Sequence, residues 1–209
     1  MKETLDRLAK LVGPIASIAL VAIALIIYSR GKAKQQELTE RLSYSEKTGA
    51  ERAKAFETVY REELRLVGRT LQEAPLTALT GDAARSLELH GAGRRLLLLL
   101  SDIDCDVCQD RETQFAKSIA DTLGPRRTAV IVSGDRRFAT AYVRVNGARF
   151  PVFLDEPDAF GKGNSLPRRP LLLVLEGGRV TMAHMPQTSL PSLSEAFHEV
   201  ARRYLASER

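Results

Sequence analysis

Leu96-Leu97-Leu98-Leu99-Leu100-Ser101-Asp102-Ile103-Asp104-Cys105-Asp106-Val107-Cys108 carries the signal that decides the fold. Five consecutive leucines with no polar interruption suit a strand covered on both faces, so the run predicts a β-strand over 96–100. The strand leads into a short acidic loop, and the loop into two cysteines separated by two residues. Beyond them Cys108, Phe115, Ile119 and Leu123 fall near one face of a helix, which Gly124-Pro125 closes. The order is strand, loop, cysteine pair, helix.

That setting gives the pair its chemistry. A dithiol exchanges electrons with a partner when one sulfur is a reachable thiolate and the second can displace the partner from the mixed disulfide. Cys105 at the first turn of the helix would meet unpaired backbone N–H groups and the positive end of the helix dipole, which favour the thiolate. Asp102, Asp104 and Asp106 act in the opposite sense, because neighbouring negative charge disfavours it. The expectation is a Cys105 less acidic than in a strongly oxidising protein, and a pair that works better as a reductant.

Outward from the cysteines, short apolar runs alternate with helix-like segments, as in a mixed α/β domain. Strands are expected at Thr128–Val132 and Phe150–Leu154, with a helix from about Arg136 to Asn146 stopped by Gly147. Leu171–Leu175, the turn Glu176-Gly177-Gly178 and a strand from Arg179 to about Met185 form a hairpin. Ser192 with Glu195 three residues on predicts a capping box for a last helix, with Phe197, Val200, Ala201 and Tyr204 facing inward.

On the N-terminal side, Leu11–Tyr28 contains no charge and at about 1.5 Å per helical residue reaches roughly the thickness of a bilayer's hydrocarbon. Lys2, Arg7 and Lys10 precede it, and Arg30, Lys32 and Lys34 follow, so charge alone does not orient it. No small-x-small site ends the run, which favours an uncleaved anchor. Residues 29–73 read as a helical stalk, with Phe56, Tyr60, Leu64, Val67 and Leu71 as an apolar stripe, Gly49 as an interruption and Pro75 as the stop. The stripe suits either the following domain or a second copy of itself, giving a dimer through the stalk.

Composition narrows the function classes. The net charge of +5 is spread through every segment and nearly matched by acids, and aromatics make up 6% with no Trp, so nucleic-acid binding is not expected. The chain's two cysteines lack a second pair, and His90, His184 and His198 lie in different segments, so a zinc site is not expected. A structural disulfide would close so short a loop that it would staple almost nothing.

From Ala74 to Leu205 the chain resembles the membrane-anchored thioredoxin-like thiol-disulfide oxidoreductases of the TlpA and cytochrome c maturation type. Ala74-Pro75-Leu76 to Leu89 looks like that family's N-terminal hairpin. Cys105-Asp106-Val107-Cys108 matches its active-site spacing, Phe150-Pro151-Val152-Phe153-Leu154-Asp155 its middle strand, Pro170 before Leu171 its cis-proline position, and Gly177-Gly178-Arg179-Val180 its final hairpin. The resemblance implies an α/β, thioredoxin-like fold over 74–209, a central mixed sheet flanked by helices, after one transmembrane helix (11–28) and the stalk. It implies Cys105 and Cys108 as catalytic residues and Arg169 and Pro170 in the substrate groove. It further implies protein thiol or disulfide substrates, an unidentified electron donor, and no cofactor or metal beyond the Cys105–Cys108 disulfide. The implied location is a bacterial inner membrane, spanned once, with residues 1–10 cytoplasmic and the domain facing the periplasm.

The chain departs from the pattern at two places. Asp104 stands where the family usually has an aromatic, often Trp. Arg111 falls where an acid that assists proton transfer is often seen, with Glu112 one step displaced. A peroxiredoxin likeness is weaker, because Asp102 replaces the Thr or Ser expected three residues before its reactive cysteine. Two other classes stay open: a copper-handling module in which Cys105 and Cys108 bind Cu(I) with Met182, His184 or Met185, and a non-catalytic docking module.

Overall fold

The computed structural model describes residues 32, 34, 39–80, 87, 89–91, 93–102, 106–156, 158–167 and 170–207, apart from the side chains of Asp106 and Cys108. It contains two compact units, Met1–Glu57 and Thr58–Arg209.

In the first unit, residues 39–57 are helical, Gly49 included. The expected interruption does not occur: one interior glycine costs a helix only about 1 kcal/mol, and its neighbours are strong helix formers. The expected span over 11–28 lies outside the described residues. Among the described residues, no helix is long and apolar enough to cross a membrane.

The second unit opens with helical residues 58–66 (α1). There follow β1 (Thr77–Ala78), β2 (Arg94–Ser101), α2 (Asp106–Leu123), a 3₁₀ turn at Pro125–Arg127 and β3 (Thr128–Ser133). Then come α3 (Arg136–Asn146), β4 (Val152–Asp155), α4 (Ala159–Gly163), β5 (Leu171–Glu176), β6 (Arg179–His184) and α5 (Pro191–Ala206). The strands form one sheet in the order β1-β4-β3-β2-β5-β6. β2, β3 and β4 run parallel, while β5 is antiparallel to β2 and β6 to β5.

The leucine run forms the centre of the sheet because both its faces are covered. Leu96, Leu98 and Leu100 pack with Phe115 and Ile119 of α2, Ala139 and Tyr142 of α3, and Ala201 and Leu205 of α5. Leu97 and Leu99 point the other way, toward Val59 and Leu66 of α1, Phe160 of α4, Leu171 and Leu173. At roughly 1.5–3 kcal/mol for each fully buried leucine, this strand holds both layers to the sheet.

Three expectations require correction. α1 ends at Leu66, ahead of Pro75, because Gly68 takes a positive φ of 87° and donates its N–H to the Val180 carbonyl at 2.8 Å. The buried face of α1 carries Val59 and Leu66, whereas Tyr60, Leu64 and Val67 of the expected stripe are 49%, 53% and 44% exposed. α1 is turned this way by Glu63, whose carboxylate accepts the Met185 N–H at 2.7 Å. In α5 the Ser192–Glu195 capping box does not form: Leu190 is the cap residue, with no side-chain cap bond, and Pro191 takes the first helical position, where its fixed φ suits a helix start. Val200 faces out, 55% exposed, and Leu205 takes an inward position. β1 pairs antiparallel with β4 (Thr77 opposite Leu154), and the remainder of the expected N-terminal hairpin, residues 81–86 and 88, lies outside the described residues.

Candidate functional site

The three parallel strands end together. Ser101 of β2 lies opposite Ser133 of β3, and Ser133 opposite Asp155 of β4, giving one polar rim at the carboxyl ends of the strands. Loops leaving that edge of an α/β sheet are where open sheets place their chemistry. The cysteine-bearing segment leaves from the same edge: β2 ends at Ser101 and α2 begins at Asp106, so Cys105 is the residue immediately before the helix in the chain and Cys108 belongs to its first turn. Cys105 itself lies outside the described residues.

Several contacts fix this joint. The side-chain amide of Gln109, the residue after Cys108, is buried and donates to the Ser101 carbonyl at 2.9 Å, closing the loop between strand and helix. Asp102 packs against Gly134, where a Cβ would fall 2.7 Å from the Asp102 carboxyl carbon; at φ +128°, glycine is needed there. Asp155, fully buried, accepts the N–H groups of Ala159, Phe160 and Gly161 at 2.7, 3.1 and 3.3 Å, which fastens α4 to the rim. A cavity of about 20 Å³ between Ser101, Ser133, Asp158 and Pro167 has room for little more than a water molecule.

Pro170 is buried immediately before β5, whose first residue, Leu171, pairs with Leu99 two positions from the end of β2. The topology therefore carries Pro170 to the same end of the sheet as the cysteine helix. Arg169, and with it the peptide bond into Pro170, lies outside the described residues.

Two features of this end were missed from sequence. Glu112, one turn beyond Cys108, has no exposed surface, accepts from Nε2 of His198 at 2.5 Å and pairs with Arg111 Nε at 3.1 Å. Burial pushes its carboxyl up, but the His198 bond, followed by Arg111, prevails and holds it below its ordinary value of 4.5. His198 is itself stacked on Phe115 of α2, with ring centroids 4.0 Å apart. The second feature is a chain of contacts through α5. His184 Nδ1 lies 3.2 Å from Glu63, and its Nε2 shares a hydrogen bond of 2.8 Å with Ser194 Oγ. This has the residue order of a nucleophilic triad, but Ser194 has no exposed surface for a substrate to reach. It is a clamp joining α1, β6 and α5.

The copper ligands considered from sequence are engaged elsewhere. Met182 packs on one core layer and Met185 in the other, while both His184 nitrogens are occupied. Among the described residues, no group of three or more His, Cys, Asp or Glu side chains could hold a metal ion.

The architecture matches solved structures of one kind. A thioredoxin-like superfamily protein superposes with a TM-score of 0.50 at 15% identity, covering 69% of this chain and 98% of that one. The peroxidoxin BcpB from Mycobacterium tuberculosis gives 0.51 at 15% identity, covering 66% and 97%. A thiol-disulfide isomerase from Corynebacterium glutamicum gives 0.48 at 17% identity, covering 69% and 98%. No protein-family model and no curated protein matches the sequence. At these identities the first two superpositions define the fold alone: the chain carries a thioredoxin-like fold, a mixed sheet flanked by helices.

Proposed function

We propose that the protein is a membrane-anchored thiol-disulfide oxidoreductase that reduces protein disulfides through Cys105 and Cys108. The observation that carries this reading is the joint between β2 and α2: the C-x-x-C pair falls where the central strand of a thioredoxin-like sheet gives way to a helix, with Pro170 brought to the same end. A thiol placed just ahead of a helix would meet the free N–H groups of its first turn, a setting that activates a cysteine.

In roles, the Cys105 thiolate attacks one sulfur of the partner disulfide, expelling the other as a thiolate and forming a mixed disulfide. The Cys108 thiolate then attacks Cys105 Sγ, releasing the second partner sulfur as a thiol. The partner gains two electrons and two protons, the pair becomes a disulfide, and a dithiol donor resets it. Pro170 and Arg169 form the groove in which the partner segment lies.

Residues 11–28 serve as the anchor, with the domain on the periplasmic side of a bacterial inner membrane. Labelling intact cells with a membrane-impermeant thiol reagent tests the side: the cysteines are modified if the domain faces out, and protection places it in the cytoplasm. For the activity, the full chain is equilibrated in dithiothreitol redox buffers and its free thiols are counted. A single two-electron transition supports the oxidoreductase; two thiols that never join, or a chain that changes only on binding Cu(I), overturn it.

A further inference from the structure

Opposite the polar rim of Ser101, Ser133 and Asp155 lies the end of the sheet where β2, β3, β4 and β6 begin and β5 stops. Leu96 stands opposite Thr128, so Arg95 and Arg127, one residue earlier on each strand, are side by side. The β3–β4 register, carried back through the Val130 N–H bond to the Pro151 carbonyl at 2.9 Å, brings Arg149 level with Arg127. Neighbouring strands are about 4.8 Å apart, so the three positions span about 10 Å. Arg126 precedes Arg127 in the 3₁₀ turn, and Arg144 lies in the last turn of α3, which ends here. Next to Arg144, Val145 is 79% exposed.

Acids do not balance this end. Asp121 is exposed in the last turn of α2, and Glu176 already accepts from Arg94 Nε at 3.0 Å and from the Tyr204 hydroxyl at 2.9 Å. Among the described residues, Arg126, Arg144 and Arg149 are exposed and have no carboxylate partner. Arginine, unlike lysine, presents a planar fork that pairs a carboxylate through two parallel hydrogen bonds. The chain enters this unit at the other end: Glu63 of α1 accepts the Met185 N–H just past β6, whereas Gly68, after α1, bonds Val180 near its start. The arginine end is therefore the one farther from the entry, which favours an aqueous partner over a lipid surface. The Tyr204 ring at this end is covered by the Arg94 guanidinium at 3.9 Å, so it offers no open face for stacking a nucleic-acid base. We propose that this end of the sheet is a docking surface for an acidic segment of a protein partner, whose carboxylates pair with Arg126, Arg144 and Arg149 while an apolar side chain covers Val145. The surface stands apart from the reading given above for the cysteine pair, and its occupation leaves the polar rim at the opposite end open.

The test uses the full chain in a neutral detergent and fluorescein-labelled poly-glutamate, followed by fluorescence anisotropy at low salt, where surface charges act over more than about 10 Å. The chain binds poly-glutamate, and added salt weakens the complex. Combining Arg126→Gln, Arg144→Gln and Arg149→Gln lowers the affinity about tenfold, whereas Lys47→Gln, Arg52→Gln and Arg137→Gln, which remove the same charge elsewhere, change it less than about twofold. Val145→Trp gives the chain its one tryptophan, and poly-glutamate shields that side chain from quenching by acrylamide. No binding, or equal weakening in the two triple variants, overturns the inference. So does tighter binding of phosphatidylglycerol-phosphatidylcholine vesicles or of a single-stranded DNA oligonucleotide than of poly-glutamate. Self-association that disappears in the arginine triple variant would hand the surface to a second copy and overturn it as well. None of these readouts involves a thiol, so a chain that fails to reduce disulfides refutes the oxidoreductase reading separately.

Discussion

Glu63 of α1 holds His184 of β6 at 3.2 Å and, through the same carboxylate oxygen, accepts the backbone N–H of Met185 at 2.7 Å. One side chain thus fixes which face of α1 meets the sheet, and His184 passes the connection on to Ser194 of α5. Replacing Glu63 by Ala leaves two donors without an acceptor, which costs about 2–4 kcal/mol. Urea unfolding followed by circular dichroism should show a lower midpoint with an unchanged slope. Glu63→Gln, whose carbonyl can still accept, should recover part of the loss.

The leucine run should be the most sensitive apolar stretch of the sheet. Leu98 has no exposed surface and lies on the central strand, so Leu98→Ala should cost about 2–5 kcal/mol through lost burial and a cavity. Val145→Ala, at a side chain 79% exposed, should change stability by less than about 0.5 kcal/mol. Equal effects of the two would contradict the packing described for β2.

Glu112 makes stability depend on acid. Its carboxyl is held below the ordinary 4.5, so the native state gains from the charged form above that value and loses the gain as pH falls through the depressed one. The stability difference between the wild type and Glu112→Gln should be constant near neutrality and shrink below pH 4.5. A difference that persists into strong acid would contradict the assignment.

Tyr142 does the same at the alkaline end. Burial pushes its phenol from 10.0 up to about 12, against the hydrogen bond to Thr113 at 3.2 Å. Because the folded value is raised, the stabilisation is complete below 10.0 and disappears as pH climbs toward 12. Ultraviolet difference titration should show one tyrosine ionising in that upper range, and Tyr142→Phe should remove that step.

Much of the sheet was legible in the chain because its strands are apolar on both faces and bounded by strong punctuation. Leu96–Leu100 stands inside β2, and Gly147, in the left-handed region at φ 55°, closes α3 where expected. What the sequence concealed depends on partners far along the chain. The apolar stripe of α1 looked like its buried face, but a polar residue, Glu63, sets the orientation by binding β6. Ser192 and Glu195 have the right spacing for a cap, yet Leu190 is the cap residue and Pro191 starts the helix two residues earlier than such a box would. At the candidate site, the cysteine spacing and Pro170 were readable as local motifs. Glu112 with His198 was not, because the two residues stand 86 positions apart and meet only when α5 folds back over α2.

The central claim is that the first sulfur of the pair attacks protein disulfides and the second resolves the adduct. Trapping tests it most directly: the full chain carrying Cys108→Ser is expressed in cells, the thiols are quenched with acid, and disulfide-linked adducts are resolved on non-reducing gels. The account predicts covalent adducts that accumulate in Cys108→Ser and vanish when Cys105 is also replaced. Adducts that require Cys108, or none in either variant, would contradict it.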